Sequence, residues 1–289
     1  MDPVRASTPI PGILPVPMSE SVFRRQGASF VPTEAAGSPW SRETLHGGAV
    51  CGLLARAIET AAPDASFSLV RLTVDLFRPI PRAPLRVEVV PARAGRRVHS
   101  VAAALYAGDV EITRASALLV RRDEAAEPGA ELGPPPPGPE AIATTGLVPG
   151  GMQGFPTGFH TTVECRWVSR GGSAPPCAWL RLPIPLVAGE PTTPLQHAAA
   201  LSDFANALAS FSRRAQGLGA GYINADVTLY LSRTPAAGWI ALASEQRSEG
   251  SGVGFVDVGL HDERGRLGRI VQACLLQARG IGAPSAPDA

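Results

Sequence analysis

The stretch Val70-Arg71-Leu72-Thr73-Val74-Asp75-Leu76-Phe77-Arg78 occurs a second time, 155 residues later, as Ala225-Asp226-Val227-Thr228-Leu229-Tyr230-Leu231-Ser232-Arg233. In both stretches apolar residues alternate with mostly polar ones, which is the pattern of a strand with one buried face. The alternation has the same phase in both copies, so the same face of each strand is predicted to lie on a core. Because two such strands match in phase about half of the time by chance, the repeat needs support from the flanking sequence.

The sequence around each copy repeats one order of elements. A stretch with helical spacing of apolar residues precedes each strand, opened by Leu45-His46-Gly47-Gly48 in the first half and by Pro194-Leu195-Gln196-His197 in the second. The second helix is predicted to continue through Leu201, Phe204, Leu208 and Phe211. Strand-like runs then follow both copies, at Leu85–Val90, Val98–Tyr106 and Glu111–Arg121, and at Trp239–Ser244, Gly252–His261 and Leu267–Gln277. A preceding strand, around Phe30 and around Thr161–Trp167, completes each predicted sheet.

The spacing between matched residues aligns the two halves. His46 and His197 are 151 positions apart, whereas Arg78 and Arg233, like Arg114 and Arg269, are 155 apart, so one four-residue insertion brings the copies into line. We predict an α+β fold of two tandem units, each a long helix packed on an antiparallel sheet. The predicted boundaries are 20–122 for the N-terminal unit, 123–155 for a linker rich in Pro and Gly, and 156–280 for the C-terminal unit.

The composition excludes several classes of function. The net charge is +1, which gives no preference for nucleic acid, and no lysine is present, which excludes Schiff-base and P-loop lysine chemistry. No apolar run is long enough for a membrane span. The four cysteines have neither disulfide nor zinc spacing, so we expect a cytoplasmic protein with no metal site. The absence of a G-x-S-x-G motif argues against a serine hydrolase.

Several short motifs carry a family resemblance. In the first half they are Leu45–Val50 and Leu72–Pro79, and in the second half Leu201–Phe204, Ile223–Asp226 and Gly268–Gln272. Together they resemble the acyl-CoA thioesterases related to bacterial thioesterase II, over residues 20–122 and 156–279. The resemblance implies a double-hotdog fold and hydrolysis of an acyl-CoA substrate without a cofactor.

The resemblance also implies a catalytic site at Asp203, Asn224 and Gln272. Asn224 departs from the family pattern, which more often has Thr or Ser at this position. Hydrolysis of a thioester needs a positioned water, a base and donors for the developing oxyanion. Asp203 is the candidate base if burial raises its pKa, and the two amides are candidates to hold the water or the carbonyl. As a lone Asp in the first turns of a helix, Asp203 is otherwise explained by the helix dipole alone.

The alignment of the copies predicts one active site, in the second half. The residues opposite Asp203, Asn224 and Gln272 in the first copy are Gly52, Leu69 and Ala117, none of which is polar. Loss of one site after duplication would leave this pattern.

The segment His46-Gly47-Gly48 allows two interpretations. The glycines either let a thioester or phosphate approach free N–H groups at a helix start, or they permit close packing of the helix. Under the first interpretation, His46, Gly47 and Gly48 are predicted to contact substrate. His99, His160 and His261 are interpreted as ordinary strand or surface histidines, and Cys51 as a small buried thiol.

Three functions remain open at this point. The first is a thioesterase that cleaves acyl-CoA into free acid and CoA, and the second is a non-catalytic protein that binds acyl groups. The third is an enoyl-CoA hydratase, which needs an Asp/His pair such as Asp257 and His261 on one strand face. A homodimer is a further possible assembly, while nucleic acid is not an expected partner.

Overall fold

The structure, a computed structural model, describes residues 21–62, 64–123, 135–147, 155–211 and 221–276. The first half contains, in chain order, β1 (Phe23–Gln26), β2 (Ser29–Pro32), α1 (Gly47–Thr60), β3 (Phe67–Asp75), β4 (Leu85–Ala94), β5 (Val98–Ala107) and β6 (Val110–Arg121). The second half contains α2 (Phe159–Thr162), β7 (Glu164–Ser169), β8 (Cys177–Arg181), α3 (Pro194–Ser202), α4 (Ala205–Ala209), β9 (Tyr222–Asn224), β10 (Asp226–Leu231), β11 (Ile240–Gly250), β12 (Val253–Asp262) and β13 (Gly265–Leu276).

These strands form one antiparallel sheet with internal symmetry. Their order is β1-β2-β4-β5-β6-β3-β10-β13-β12-β11-β8-β7, with β9 beside β13. The order from the centre outward is equivalent in the two halves, so a pseudo-two-fold axis passes between β3 and β10. Thr73 lies opposite Thr228, and their Oγ1 atoms are 3.2 Å apart. Because 228 − 73 = 155, the residues on the axis are repeat equivalents, which confirms the predicted tandem repeat.

A β-bulge lies at the same place in each copy. On the β3–β6 pair the register shifts between Leu69 and Arg71. In the second copy Asn224 is opposite Cys274 and Thr228 is opposite Val271, so the β9–β10 side has one more residue than β13 between these pairs. Adding 155 to Leu69 gives Asn224. A bulge re-aims the side chain beside it, and in the second copy that side chain is polar.

The two long helices pack antiparallel on one face of the sheet. The apolar side of α1 is buried, as its spacing predicts. The helices approach closely through small residues: a Cβ on Gly48 would overlap the Ala200 carbonyl oxygen, and one on Gly52 would lie 3.0 Å from the Ala200 Cβ. The antiparallel arrangement brings the start of each helix to the end of the other.

Some predicted boundaries differ from those observed. The helices begin at Gly47 and Pro194, a separation of 147 and not the 151 inferred from the histidines, because His197 lies one turn inside α3. Strand β8 was not predicted, since all but its last residue are buried and the sequence therefore does not alternate. The predicted strand at Thr161–Trp167 begins only at Glu164.

The described part of the predicted linker, residues 135–147, contacts the second half. The Trp179 indole N–H donates to the Pro137 carbonyl at 2.7 Å, and that of Trp167 donates to the Leu147 carbonyl at 3.2 Å. Residues 124–134 and 148–154 of the predicted linker lie outside the described residues. Within the described ranges, no helix is long and apolar enough to cross a membrane.

Candidate active site

Asp203 lies at a break between two helices. Helix α3 ends at Ser202, Asp203 is its C-terminal cap, and α4 begins at Ala205. The sequence predicted one continuous helix with Asp203 in its first turns, and both of these predictions are wrong. The apolar spacing continues across the break, which is why the sequence pattern gave no indication of it.

Gln272 on β13 explains the break. In a continuous helix the Asn206 N–H would donate to the Ser202 carbonyl, four residues earlier. Instead, Gln272 Oε1 accepts from the Asn206 N–H at 2.7 Å, and its Nε2 donates to the Ser202 carbonyl at 3.4 Å. A side-chain amide inserted into the backbone ladder opens the helix here. Gln272, which is fully buried, is thus a positioning residue, and among the described residues its second amide hydrogen has no acceptor.

The Asp203 carboxylate has partners from two elements, the strand β9 and the start of α1. Asn224 Nδ2, at the end of β9, donates to Asp203 Oδ1 at 2.7 Å and to the Asp203 carbonyl at 3.0 Å. Asp203 Oδ2 is 2.9 Å from His46 Nδ1, at the start of α1. Only 8% of Asp203 is exposed. The structure therefore brings Asp203, Asn224 and His46 together, whereas Gln272 contacts the backbone on either side of Asp203.

The two glycines at the start of α1 have different neighbours, and the sequence had left open whether they serve ligand approach or close packing. A Cβ on Gly47 would lie 2.8 Å from Asp203 Oδ2, so glycine at this position lets the carboxylate reach the helix start. A Cβ on Gly48 would overlap Ala200 and lie 2.9 Å from the Phe159 ring, so Gly48 serves close packing. Asp203 consequently meets the positive end of the α1 dipole, although it ends its own helix.

The proton on His46 follows from its two contacts. Nδ1 lies 3.0 Å from the Gly48 N–H and 2.9 Å from Asp203 Oδ2, and one ring nitrogen cannot accept from the first while donating to the second. A buried carboxylate needs donors, and a charge-assisted bond is the stronger of the two. We therefore assign the proton to Nδ1, which donates to Asp203 and leaves Nε2 as an acceptor.

The pKa of Asp203 is lowered, contrary to the expectation that burial would raise it. Burial does act upward on this pKa and is the largest single influence. The hydrogen bond and charge of His46, the Asn224 amide and the Gly48 N–H together outweigh it. The carboxylate is consequently ionised at neutral pH.

Aromatic rings enclose the His46 imidazole. The ring centroids of Phe204, Phe159 and His160 lie 4.9, 5.3 and 6.3 Å from that of His46. The interpretation of His160 as an ordinary strand or surface residue is wrong, since it lies in α2 and is only 4% exposed. The short motif Gly158-Phe159-His160 has no periodicity that would have indicated its place in the site.

The remaining candidates lie apart from this group or lack suitable chemistry. Asp257 Oδ2 is 3.2 Å from Arg269 and makes no contact with His261 among the described residues, so this pair does not supply the Asp/His couple that a hydratase needs.

His197 Nε2 accepts from the Leu182 N–H at 2.9 Å. Burial, followed by the charge of Asp203, raises the pKa of Cys51 well above its usual value, as expected for an inert thiol. Across the part of the chain that the structure describes, no cluster of His, Cys, Asp or Glu suits a metal ion.

Solved structures share this fold. A protein of Thermobifida fusca assigned as a thioesterase II is 19% identical, with a TM-score of 0.67, 91% of this chain and 99% of that chain being covered. A thioesterase assigned in Novosphingobium aromaticivorans is 22% identical, with a TM-score of 0.67 and coverages of 89% and 99%. A hot dog protein of unknown function from Alicyclobacillus acidocaldarius is 16% identical, with a TM-score of 0.65 and coverages of 89% and 96%. These likenesses confirm the double-hotdog fold.

Sequence comparison gives the family. No protein with a curated description matches the sequence. The sequence model of an acyl-CoA thioesterase N-terminal domain matches residues 36–120, and that of an acyl-CoA thioesterase C-terminal domain matches residues 130–276. The two matches follow the family's domain order and together span most of the chain, which therefore belongs to the acyl-CoA thioesterases and is a thioester hydrolase.

Proposed function

We propose that this protein hydrolyses acyl-CoA to a free acid and CoA, with the Asp203–His46 pair activating the attacking water. The observation that carries the proposal is the 2.9 Å contact between Asp203 Oδ2 and His46 Nδ1 at the start of α1. It joins an ionised, nearly buried carboxylate to an imidazole with an open acceptor, which is the arrangement that general-base catalysis requires.

In the proposed reaction the pair works as a single base. Water oxygen bonds to the acyl carbon while its proton passes to the pair, in which Asp203 stabilises the positive charge on His46. The C–S bond then breaks, and the sulfur leaves as CoA thiolate and takes up the proton. The Gly48 N–H donates to Asp203, and the positive end of the α1 dipole at Gly47 favours negative charge on the acyl oxygen.

Asn224 and Gln272 support this base in different ways. Both hydrogens of the Asn224 amide face Asp203, so Asn224 fixes the carboxylate, while its Oδ1 accepts from the Cys274 thiol at 3.9 Å. Gln272 holds the helix break on which Asp203 depends. A Thr or Ser at position 224 has one donor, so Asn224 is expected to hold the carboxylate at least as firmly.

The test is release of CoA thiol from a panel of acyl-CoAs that differ in chain length, branching and aromaticity. Wild-type protein is expected to release thiol from at least one of them, and Asp203→Asn to lose about 1,000-fold or more in kcat, as expected when a base is removed. A folded Asp203→Asn protein as active as wild type would exclude the mechanism. Tight binding of acyl-CoA by wild type without thiol release would favour a non-catalytic binding protein instead.

An enoyl-CoA hydratase is the second candidate, because the Asp/His pair that this reaction needs is present at His46 and Asp203, although Asp257 and His261 do not form it. Hydration would add water across the C=C bond of a 2-enoyl-CoA and leave the thioester intact. Loss of the enoyl absorbance of crotonyl-CoA without thiol release would identify this activity, and an absorbance loss matched by an equal amount of released thiol would exclude it.

A homodimer is a separate prediction that light scattering on the purified protein tests directly. A mass of about twice 30.0 kDa is the expected result.

A further inference from the structure

The short helix α2 is fixed tightly over the active site. The Phe159 N–H donates to the Gly37 carbonyl at 2.9 Å, and a Cβ on Gly158 would overlap that same oxygen. The adjacent Ala36 carbonyl accepts from the His46 N–H at 2.9 Å. One loop therefore holds both α2 and the start of α1, which sets the His160 ring relative to the Asp203–His46 pair.

His160 is a buried polar side chain whose ring nitrogens make no well-formed hydrogen bond within the described part of the chain. It is 4% exposed, and neither ring nitrogen makes a hydrogen bond of normal geometry to any of the described residues. Its ring is stacked on that of His46, with centroids 6.3 Å apart and planes 19° apart. The other buried histidine of this half, His197, does have a partner, the Leu182 N–H. An unpaired buried donor is destabilising and is rare in folded proteins.

The imidazole of His160 is neutral in this environment. Burial, followed by the neighbouring His46, lowers its pKa to about 3, and a weak interaction with the Pro156 carbonyl acts in the opposite direction. A neutral imidazole always has one N–H donor and one acceptor nitrogen. His160 consequently offers a hydrogen bond beside the reacting groups without bringing a charge into competition with the Asp203–His46 pair.

We propose that His160 is a substrate-contacting residue whose ring N–H donates to the carbonyl oxygen of the bound thioester. The inference rests on the proposed function, because it assigns to His160 the acyl carbonyl of that substrate. It explains a polar group that packing alone leaves unpaired: the group is satisfied only when substrate is bound, and the stability it costs is a feature of functional sites. His160 and the first turn of α1 then share the carbonyl oxygen, while the pair holds the water.

The test compares two CoA thioethers that cannot be hydrolysed. One carries a 2-oxoalkyl group and so keeps a carbonyl near the sulfur, and the other carries a plain alkyl group of the same length. Calorimetry gives the affinity of each ligand for wild type, His160→Phe and His160→Gln. Wild type is expected to prefer the ketone, and His160→Phe to reduce that preference about five- to tenfold with its affinity for the alkyl ligand unchanged. His160→Gln, which keeps a donor, should retain part of the preference.

Thermal unfolding separates this role from a structural one. His160→Phe removes an unpaired polar group, so its midpoint should equal or exceed that of wild type. The matched control, His197→Phe, removes the acceptor of the Leu182 N–H and should unfold at a lower temperature. A His160→Phe midpoint that falls as far as the His197→Phe midpoint would overturn the proposal and give His160 a packing role.

The ligand measurements also distinguish the proposal from the function on which it rests. If wild type releases no CoA from any acyl-CoA, yet prefers the ketone and loses that preference with His160→Phe, the hydrolytic function fails and the His160 contact stands. If His160→Phe keeps the full preference, or if wild type shows none, the His160 contact is overturned whatever the turnover.

Discussion

The two ends of the α1–α3 helix pair are built alike and differ in chemistry. At one end His46 caps α1 and meets Asp203 from the end of α3; at the other Thr193 caps α3 and donates at 2.8 Å to Glu59, in the last turn of α1. Each end thus joins a helix cap to a carboxylate from the opposite helix. Glu59 is only half-buried and also accepts from the Gln196 amide at 2.8 Å.

The difference shows which part of the arrangement is structural. A cap and a carboxylate suffice to hold two antiparallel helices in register, and both ends have them. Only the His46 end adds an imidazole, in contact with a nearly buried carboxylate. A cavity with both apolar and charged residues in its wall lies at the Glu59 end, and Leu69, the residue equivalent to Asn224, is one of the apolar ones.

Among the comparisons between the two helix ends, exchanging the two caps should give the largest effect. Thr is a good helix cap, so His46→Thr keeps the start of α1 but removes the imidazole. We expect a loss of about 100-fold or more in kcat/KM for the best acyl-CoA of the panel. Thr193→His, the reciprocal exchange, should create no activity at the second end when made in an Asp203→Asn background. If His46→Thr hydrolysed acyl-CoA at the wild-type rate, His46 would not be part of the base, and Asp203 would act alone.

The next comparison concerns the strand ends of the two copies. In the second copy Asp262 is fully buried, and its carboxylate accepts from both Arg233 NH groups at 2.6 Å. In the first copy this ion pair is absent, because the residue equivalent to Asp262 is Ala107 and the residue equivalent to Arg233 is the exposed Arg78. Asp262→Asn should lower the free energy of unfolding by about 2 kcal/mol, less than for a fully buried pair because Arg233 is partly exposed. Arg78→Ala should change it by less than about 0.5 kcal/mol. Urea unfolding of both variants measures the difference, and equal effects would mean that the copies do not differ here.

Glu59→Gln tests the second end on its own. Thr193 and Gln196 lose a charged acceptor but keep a neutral one, so we expect a loss of about 1 kcal/mol in the free energy of unfolding. The rate of CoA release should stay within about threefold of wild type, since the acid–base group lies at the other end. A large loss of turnover without unfolding would assign chemistry to the Glu59 end.

The smallest expected effect is a pH dependence that reports the pKa of Asp203. A carboxyl with a lowered folded pKa contributes stability that is complete above its unfolded value, near 3.8, and is lost as the pH falls through the lower folded value. The stability difference between wild type and Asp203→Asn should therefore shift against wild type as the pH falls below about 4, where the folded Asp203 carboxylate takes up a proton. If the loss of wild-type stability relative to Asp203→Asn began above about pH 5, the pKa of Asp203 would be raised and not lowered.

The sequence predicted the elements whose information is local. The alternation around Leu72 and Val74 predicts the buried face of β3. The 155-residue spacing predicts that β3 and β10 are equivalent, and the pairing of Thr73 with Thr228 agrees with it. The site residues came from motif resemblance, and the structure places Asp203 and Asn224 in contact.

The sequence could not predict features that depend on side chains from distant parts of the chain. The helix break exists because the amide of Gln272 takes the N–H of Asn206, 66 residues earlier, and no periodicity within the helix encodes this. The lowered pKa of Asp203 likewise depends on His46 from the other half of the chain. The burial of Asp203, which raises a carboxyl pKa, can be predicted from the sequence, whereas the donors that reverse its effect cannot.

The Thr73–Thr228 contact has a consequence for the ancestry of the chain. In a symmetric dimer of single units, a residue on the two-fold axis touches its own copy in the partner. Thr73 and Thr228 occupy this relation inside one polypeptide. A single-unit precursor would have used the same strand edge to dimerise, and fusion made that dimer permanent, so that each half was free to change on its own. The second half carries Asp203 and Asn224, whereas the first half contributes His46 and has the apolar Leu69 and Ala117 at the positions equivalent to Asn224 and Gln272.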